Sequence, residues 1–243
     1  TNTVLLGMVI EQVTGEPIED VIASQITEPL ALDHTIFPTD ATFPEPHAQG
    51  YTTQGTDDDV PVDATDWNPS WGWSAGAMIS NLDDLLVWGK ALSTGEGILS
   101  PEMQAERLDS FDFDVPIWLG DGETGPQSPT RAYGLGLGLA LGWYGHTGEL
   151  PGFNTVVQHH IDEDLTLIVM VNSDIKSGEC PVGASITVGG RTTGPCDDPA
   201  EHIANALAAA IGFPLVPGED AAGDGPGNED TTGATIAPQD GGE

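Results

Sequence analysis

The chain has 243 residues, of which 39 are acidic and only 5 are basic, giving a formal net charge of −34. This balance argues against nucleic-acid partners and against docking on an anionic membrane, because both require a basic protein surface. The hydrophobic fraction of 38%, with six Trp and six Phe, is sufficient for the core of one large domain. No apolar run approaches the roughly 18 residues of a membrane-spanning helix.

Two helices are predicted at the start of the chain. Apolar residues at helical spacing cover Val4–Val13, and Gly15 is placed to end this helix. Pro17 opens a second helix, and Pro29 ends it. Residues 35–73 show no sustained periodicity, so we interpret them as a long surface segment of the kind that often forms the rim of a functional site.

Capping and turn residues mark the middle of the chain. A capping box at Ser80–Asp83 and the triplet Ser100-Pro101-Glu102 each predict the start of a helix. Two strand-like segments, Phe153–Ile161 and Leu165–Asn172, are joined by the turn Asp162-Glu163-Asp164. This pattern predicts an antiparallel hairpin.

The end of the chain divides into two parts. Asp198 is expected to cap a last amphipathic helix, which Gly212 ends. Beyond Pro214 the chain is rich in Gly, Asp, Glu, Pro and Thr, and it cannot bury enough apolar surface to offset the entropy of ordering. We therefore predict a domain over residues 1–213 and a disordered acidic tail over residues 214–243.

Three groups of residues raise the question of a disulfide or a metal. Cys180 and Cys196 could form a bridge worth roughly 3 kcal/mol, or could remain two free thiols. Neighbours on a strand point to opposite faces, so we interpret His159 and His160 as solvent-facing polar residues rather than ligands. The run Asp57–Asp59 does not follow EF-hand spacing. No metal site and no cofactor are predicted.

The segment Tyr144-Gly145-His146-Thr147-Gly148 lies between predicted strands. It indicates a sheet edge that lines a cleft, where an imidazole, a hydroxyl and an open backbone face one ligand. An ordinary strand end followed by a turn would account for the same residue types.

Two serine patterns are candidates for a nucleophile. Gly72–Gly76 matches the nucleophile elbow of α/β-hydrolases, in which Ser74 would act with His146 on a parallel sheet. The residues before it form a poor strand and no helix follows directly, so we interpret the match as fortuitous. Ser173 and Lys176 have Ser-x-x-Lys spacing, but they follow a strand, and no helix places them on one face. We interpret this second pattern as a loop.

Several further segments occur in an informative order over residues 1–213. They are Val4-Leu5-Leu6-Gly7, Glu28-Pro29-Leu30-Ala31-Leu32, Ala48-Gln49-Gly50-Tyr51, Ser74-Ala75-Gly76 with Asp83-Asp84-Leu85, Tyr133-Gly134-Leu135-Gly136-Leu137, and Gly145-His146-Thr147-Gly148 with Pro151-Gly152-Phe153. In this order they resemble the serine β-lactamase and D-alanyl-D-alanine carboxypeptidase superfamily, in its class C-like branch.

The resemblance implies an α+β fold with a five-stranded antiparallel sheet flanked by helices. It also implies a serine acyl-hydrolase that forms an acyl-enzyme with an acyl-D-Ala-D-Ala peptide, a β-lactam or an ester. His146, Thr147 and Gly148 match the third motif of the family, usually Lys-Thr-Gly, which holds the substrate carboxylate. Trp71 lies where some relatives place an aromatic residue near the cleft, although buried packing would explain it equally well.

In this family a Ser-x-x-Lys and a Tyr-x-Asn motif supply the nucleophile and the base. The resemblance places both upstream of Thr1, so we expect this chain to be a C-terminal fragment, incomplete at its N-terminus and inactive by itself. The parent is expected to be exported to the cell envelope or the medium, with a signal peptide outside this sequence. Two alternatives are an inert module of the same fold that binds cell-wall peptide, and an α/β-hydrolase using Ser74, which an antiparallel sheet would eliminate.

Overall fold

The computed structural model describes residues 2–56, 60–120, 123–177 and 198–216. Cys180 and Cys196 lie outside these ranges, as do residues 217–243 of the predicted tail. Asp57–Asp59 also lies outside them. The paired cysteines and the disordered tail therefore stay predictions.

The helices of the described ranges fall near the predicted positions. They are α1 (Asn2–Thr14), α2 (Ile18–Ile22), α3 (Leu82–Thr94), α4 (Pro101–Asp109) and α5 (Pro199–Ala210). A π-helical turn, Ala23–Thr27, continues α2, and a 3-10 segment, Pro69–Ala75, overlaps the end of the predicted irregular region. No helix in the described part of the chain is long and apolar enough to cross a membrane.

The strands form one main sheet and two small hairpins. They are β1 (Tyr51–Thr52), β2 (Val62–Asp63), β3 (Ile117–Gly120), β4 (Glu123–Gly125), β5 (Ala132–Tyr133), β6 (Gly138–Ala140), β7 (Trp143–Leu150), β8 (Phe153–His160) and β9 (Leu165–Val171). Strand β1 pairs with β2 and β3 with β4, while the main sheet has the order β5-β6-β7-β8-β9. Every pairing in the main sheet is antiparallel. The α+β prediction is confirmed, and the α/β-hydrolase alternative is eliminated.

The helix caps differ from prediction in detail. Ser100 caps α4 as expected, since its hydroxyl accepts a hydrogen bond from the Met103 amide at 3.3 Å. The cap of α3 is Asn81 rather than Ser80, because the Asn81 side chain accepts from the Asp84 amide at 2.9 Å. Asp198 precedes α5 without making a side-chain cap bond, and its carboxylate instead pairs with Lys176. The ion pair with Lys176, which is a tertiary contact, takes the place of the local hydrogen bond to the helix N-terminus.

Helices cover both faces of the central strands. The face towards α5 holds the main core cluster, in which the apolar side chains of three strands meet the alanines of the helix. Its members are Trp143, Val156, Val169, Ala200, Ala204, Ala208 and Leu215. On the other face α3 approaches closely, because a Cβ atom at Gly89 would stand only 3.1 Å from Val157. Leu215 lies beyond the predicted domain end at residue 213, so packing extends past that boundary.

The prediction that His159 and His160 face solvent is wrong. Because β8 is covered on both sides, its alternating positions are both enclosed. His159 is only 1% exposed, and its Nδ1 atom lies 2.9 Å from the hydroxyl of Thr166. The ring of His160 packs against Trp143. Burial lowers the pKa of His159, although the carboxylate of Asp164 offsets part of this effect.

The lowered pKa of His159 predicts a pH-dependent stability. In the unfolded chain histidine has its ordinary pKa of about 6.5. As the pH falls, the unfolded chain therefore binds a proton at residue 159 before the folded protein does. The free energy of unfolding should therefore fall as the pH drops below that value, until the folded protein is protonated too. Urea unfolding at several pH values, compared with the His159→Gln variant, isolates this contribution from those of the carboxylates. If the difference in unfolding free energy between wild type and variant does not change with pH, the assignment of this pH dependence to His159 is contradicted.

Candidate active site

One edge of β7 is left without a neighbouring strand. Strand β6 pairs with β7 only at Trp143–Gly145, whereas β8 pairs with β7 along its whole length to Leu150. Among the described residues, the segment from His146 to Leu150 therefore has a strand on one side only. Alternate residues of an antiparallel strand direct their N–H and C=O groups to the same side. This free edge, His146–Leu150, thus offers unpaired backbone donors and acceptors.

A cavity of about 290 Å³ lies against the free edge. The residues of the free edge form one side of it, and Trp71, Gly72, Ala75 and Gly76 form the other. The predicted tripeptide His146-Thr147-Gly148 and the predicted aromatic Trp71 are therefore brought to one cavity. Trp71 is 70% exposed, so buried packing does not explain its presence there.

The 3-10 segment that carries Trp71 is held by α1. The hydroxyl of Ser74 donates to the carbonyl oxygen of Thr3 at 3.0 Å. A side chain at Gly7 would collide with Ser74, so only glycine allows this close approach. Trp73, the residue before Ser74, has φ 41° and ψ −132°. This conformation costs a non-glycine residue about 1–3 kcal/mol. The first helix thus fixes the wall opposite the free edge.

The imidazole of His146 is held by two hydrogen bonds. Its Nδ1 atom lies 2.5 Å from the carbonyl oxygen of Thr147, which can only accept, so Nδ1 carries a proton. Its Nε2 atom lies 2.8 Å from the hydroxyl of Tyr133. A hydroxyl can donate to the neutral ring and can accept from the charged ring. The two contacts therefore fix the orientation of the His146 ring.

Tyr133 is a site residue whose role the sequence did not reveal. It appeared in the sequence only as part of an ordered motif, Tyr133–Leu137. The antiparallel pairing of β5, β6 and β7 brings it beside His146, thirteen residues further along the chain. Burial raises the pKa of its phenol, so the hydroxyl keeps its proton. The register of the hairpins would have identified Tyr133 as a neighbour of His146. Residue propensities alone do not give that register.

A buried carboxylate anchors the far end of the free edge. Asp174 is 4% exposed and accepts from the amide of Gly152 at 3.0 Å, directly after β7 turns into β8. It also accepts from the Thr52 hydroxyl at 3.0 Å and from the side-chain amide of Gln54. The same residue therefore joins the β1 region to the turn that ends β7.

A charge cluster borders the cavity at Glu149. The Nζ atom of Lys176 lies 3.2 Å from the Glu149 carboxylate and 3.1 Å from that of Asp198. Burial raises the pKa of Glu149, and Lys176 offsets this in part. Burial would lower the pKa of Lys176, but the two carboxylates outweigh it and the net shift is upward. The ion pair therefore favours the charge on Lys176 more than that on Glu149, because Glu149 also faces Asp198 and Asp174.

Neither serine pattern forms a nucleophile pair. Ser173 forms a bridge to Tyr51 at the end of β9, the described residues 174–177 that follow it are not helical, and Lys176 is engaged by carboxylates. The prediction that this stretch is a loop is confirmed. In the described ranges no group of three or more His, Cys, Asp or Glu side chains could hold a metal ion.

Comparison with known proteins gives a consistent result. A family model described as Beta-lactamase matches residues 1–181. The fold is similar to a D-stereospecific amidohydrolase from Streptomyces sp., with a TM-score of 0.61 and 30% identity over 72% of this chain and 49% of that one. It is similar to D-amino acid amidase from Ochrobactrum anthropi SV3 complexed with L-phenylalanine amide, with a TM-score of 0.56 and 31% identity over 70% of this chain and 48% of that one.

A more distant structure shares the fold alone. The octameric penicillin-binding protein homologue from Pyrococcus abyssi has a TM-score of 0.55 and 22% identity over 88% of this chain and 42% of that one. The chain spans about half the length of the solved structures that it matches at 30% identity or above.

The glycines on either side of His146 should respond differently to alanine. A Cβ atom at Gly145 would overlap the carbonyl oxygen of Val157 on β8, whereas one at Gly148 would come no closer than 3.9 Å to Thr155. Gly145→Ala should therefore lower the midpoint of thermal unfolding by many degrees, and Gly148→Ala should leave it within a few degrees of wild type. Equal losses from both substitutions would show that the register of β7 and β8 is wrong.

Proposed function

This chain belongs to the Beta-lactamase family, and from that premise we propose that the full protein is a serine acyl-hydrolase that acts through an acyl-enzyme. The observation that carries the proposal is the free edge of β7, with His146-Thr147-Gly148 facing a cavity of about 290 Å³. An extended substrate can pair with such an edge as an added strand. The edge then fixes the orientation of the acyl group.

The free edge also supplies the electrostatics that acyl transfer requires. Negative charge develops on the carbonyl oxygen of the substrate as a nucleophile attacks it. Backbone N–H groups near Thr147–Glu149 are rigidly held by pairing with β8, and one of them would donate to that oxygen. The Thr147 hydroxyl and the His146 imidazole would hold a polar group of the substrate beside the reacting carbonyl.

We further propose that the nucleophile and its base come from residues outside this chain. The hydroxyl of Ser74 is engaged by the Thr3 carbonyl, and the amine of Lys176 is engaged by Glu149 and Asp198. Both serine patterns of this sequence are therefore committed to structural contacts. The cavity is open to a group contributed by another part of the full protein.

Small amides of amino acids are the substrates that we place first. Two relatives at 30–31% identity are named as a D-stereospecific amidohydrolase and a D-amino acid amidase. Both names describe cleavage of an amide bond, a reaction that the acyl-enzyme chemistry proposed here can perform. Acyl-D-Ala-D-Ala peptides, β-lactams and esters contain the same reacting carbonyl and remain further candidates.

Acylation of the full-length protein by a fluorescent penicillin tests the proposal. We expect covalent labelling that a hydroxylamine wash removes, because the product is an ester. Thr147→Val should slow labelling about tenfold or more, since it removes a hydroxyl that binds the substrate while keeping the shape of the side chain. Ser173→Ala should label at the wild-type rate.

Two other outcomes would each count against the proposal. Labelling that is abolished by Ser173→Ala would place the nucleophile inside this chain. Reversible binding of a D-alanyl peptide without any acylation would assign the protein to the inert binding class.

A further inference from the structure

We propose that Glu149 makes the cavity favour substrates with a neutral group, an amide or an ester, next to the reacting bond over those with a carboxylate there. The inference rests on the proposed function and specifies its substrate class. It differs from the carboxypeptidase expectation, in which the same cavity receives the terminal carboxylate of a peptide. The deciding feature is the charge that the structure places beside the free edge.

The position of Glu149 on β7 brings it close to any group that Thr147 binds. Residues two apart on a strand share a face and are separated by roughly 7 Å. Glu149 lines the cavity together with Thr147, and its side chain is one-third exposed. A substrate carboxylate bound to the Thr147 hydroxyl would therefore lie within a few ångströms of a second carboxylate.

Lys176 does not cancel this charge. Its ammonium is shared between Glu149 and Asp198, and Asp174 adds a third carboxylate that acts on Glu149. Among the described residues, the cluster thus holds three carboxylates and one ammonium. Because its side chain is only 12% exposed, Lys176 is also poorly placed to reach a substrate. Its ion pairs with Glu149 and Asp198 hold the Glu149 side chain in place beside the cavity.

His146 does not reverse the balance on the other side of the cavity. Both ring nitrogens of His146 are already hydrogen-bonded, to Thr147 and to Tyr133. A neutral amide group avoids the repulsion and can accept a hydrogen bond from the Thr147 hydroxyl.

A matched pair of peptides tests this inference in the full-length protein. N-acetyl-D-Ala-D-Ala and the same dipeptide with a C-terminal amide differ only in the charge next to the reacting bond. The wild type should cleave the bond between the two D-Ala residues with a higher kcat/KM in the amide form than in the acid form. Glu149→Gln should reduce this preference about tenfold, the effect of one charge at this distance under partial screening. Raising the salt concentration should reduce the preference of the wild type and leave that of the variant unchanged.

Glu163→Gln is the matched control, because it removes the same charge from an exposed turn at the far end of the β8–β9 hairpin. Its preference should equal that of the wild type. An unchanged preference in Glu149→Gln would overturn the inference and leave the proposed function intact. If Glu149→Gln does not fold, the salt dependence of the wild-type preference for the amide form decides instead. A preference that does not change with salt concentration overturns the inference. Cleavage of neither peptide by the wild type, together with no acylation by the fluorescent penicillin, would refute the proposed function itself.

Discussion

The structure depends on the point at which β6 stops pairing with β7. Up to Gly145 the strand has neighbours on both sides, and from His146 onwards it has one. Gly145 permits the tight junction with β8, since any side chain there would collide with Val157. The transition leaves a rigid edge with unsatisfied backbone groups, which a soluble protein normally pairs or covers. Here a cavity lies against it, so the edge can serve a ligand.

The surroundings of the free edge are fixed by contacts that are distant in sequence. Helix α1 holds the opposite wall through Gly7 and Ser74, and Asp174 ties the end of β7 to the β1 region. The cavity is therefore lined by the 3-10 segment and the main sheet, and the first helix supports the 3-10 segment. The charge cluster at Glu149 joins the same edge to the start of α5, so the free edge and the last helix share one lysine.

The sequence predicted the hairpin β8–β9 within one residue at each end, because alternation and turn chemistry are local properties. The residue types of His146 and Thr147 predicted a cleft at a sheet edge, and the resemblance offered Trp71 as an aromatic near it, with buried packing as an equal explanation. The structure places all three residues at one cavity. The burial of His159 was missed, because period-two alternation cannot tell whether one or both faces of a strand are covered. The contacts of Tyr133 with His146 and of Asp198 with Lys176 were missed for a related reason. These partners lie 13 and 22 residues apart in the chain, so the contacts depend on register and tertiary packing.

Hydrogen exchange of the backbone amides of β7 measures the central claim directly. In the free protein, alternate amides from His146 to Leu150 should exchange rapidly, while those of Trp143–Gly145 should be protected by strands on both sides. Binding of an acyl peptide or a penicillin to the full-length protein should protect the rapid amides selectively. Protection that appears elsewhere while the free edge exchanges as before would contradict the account.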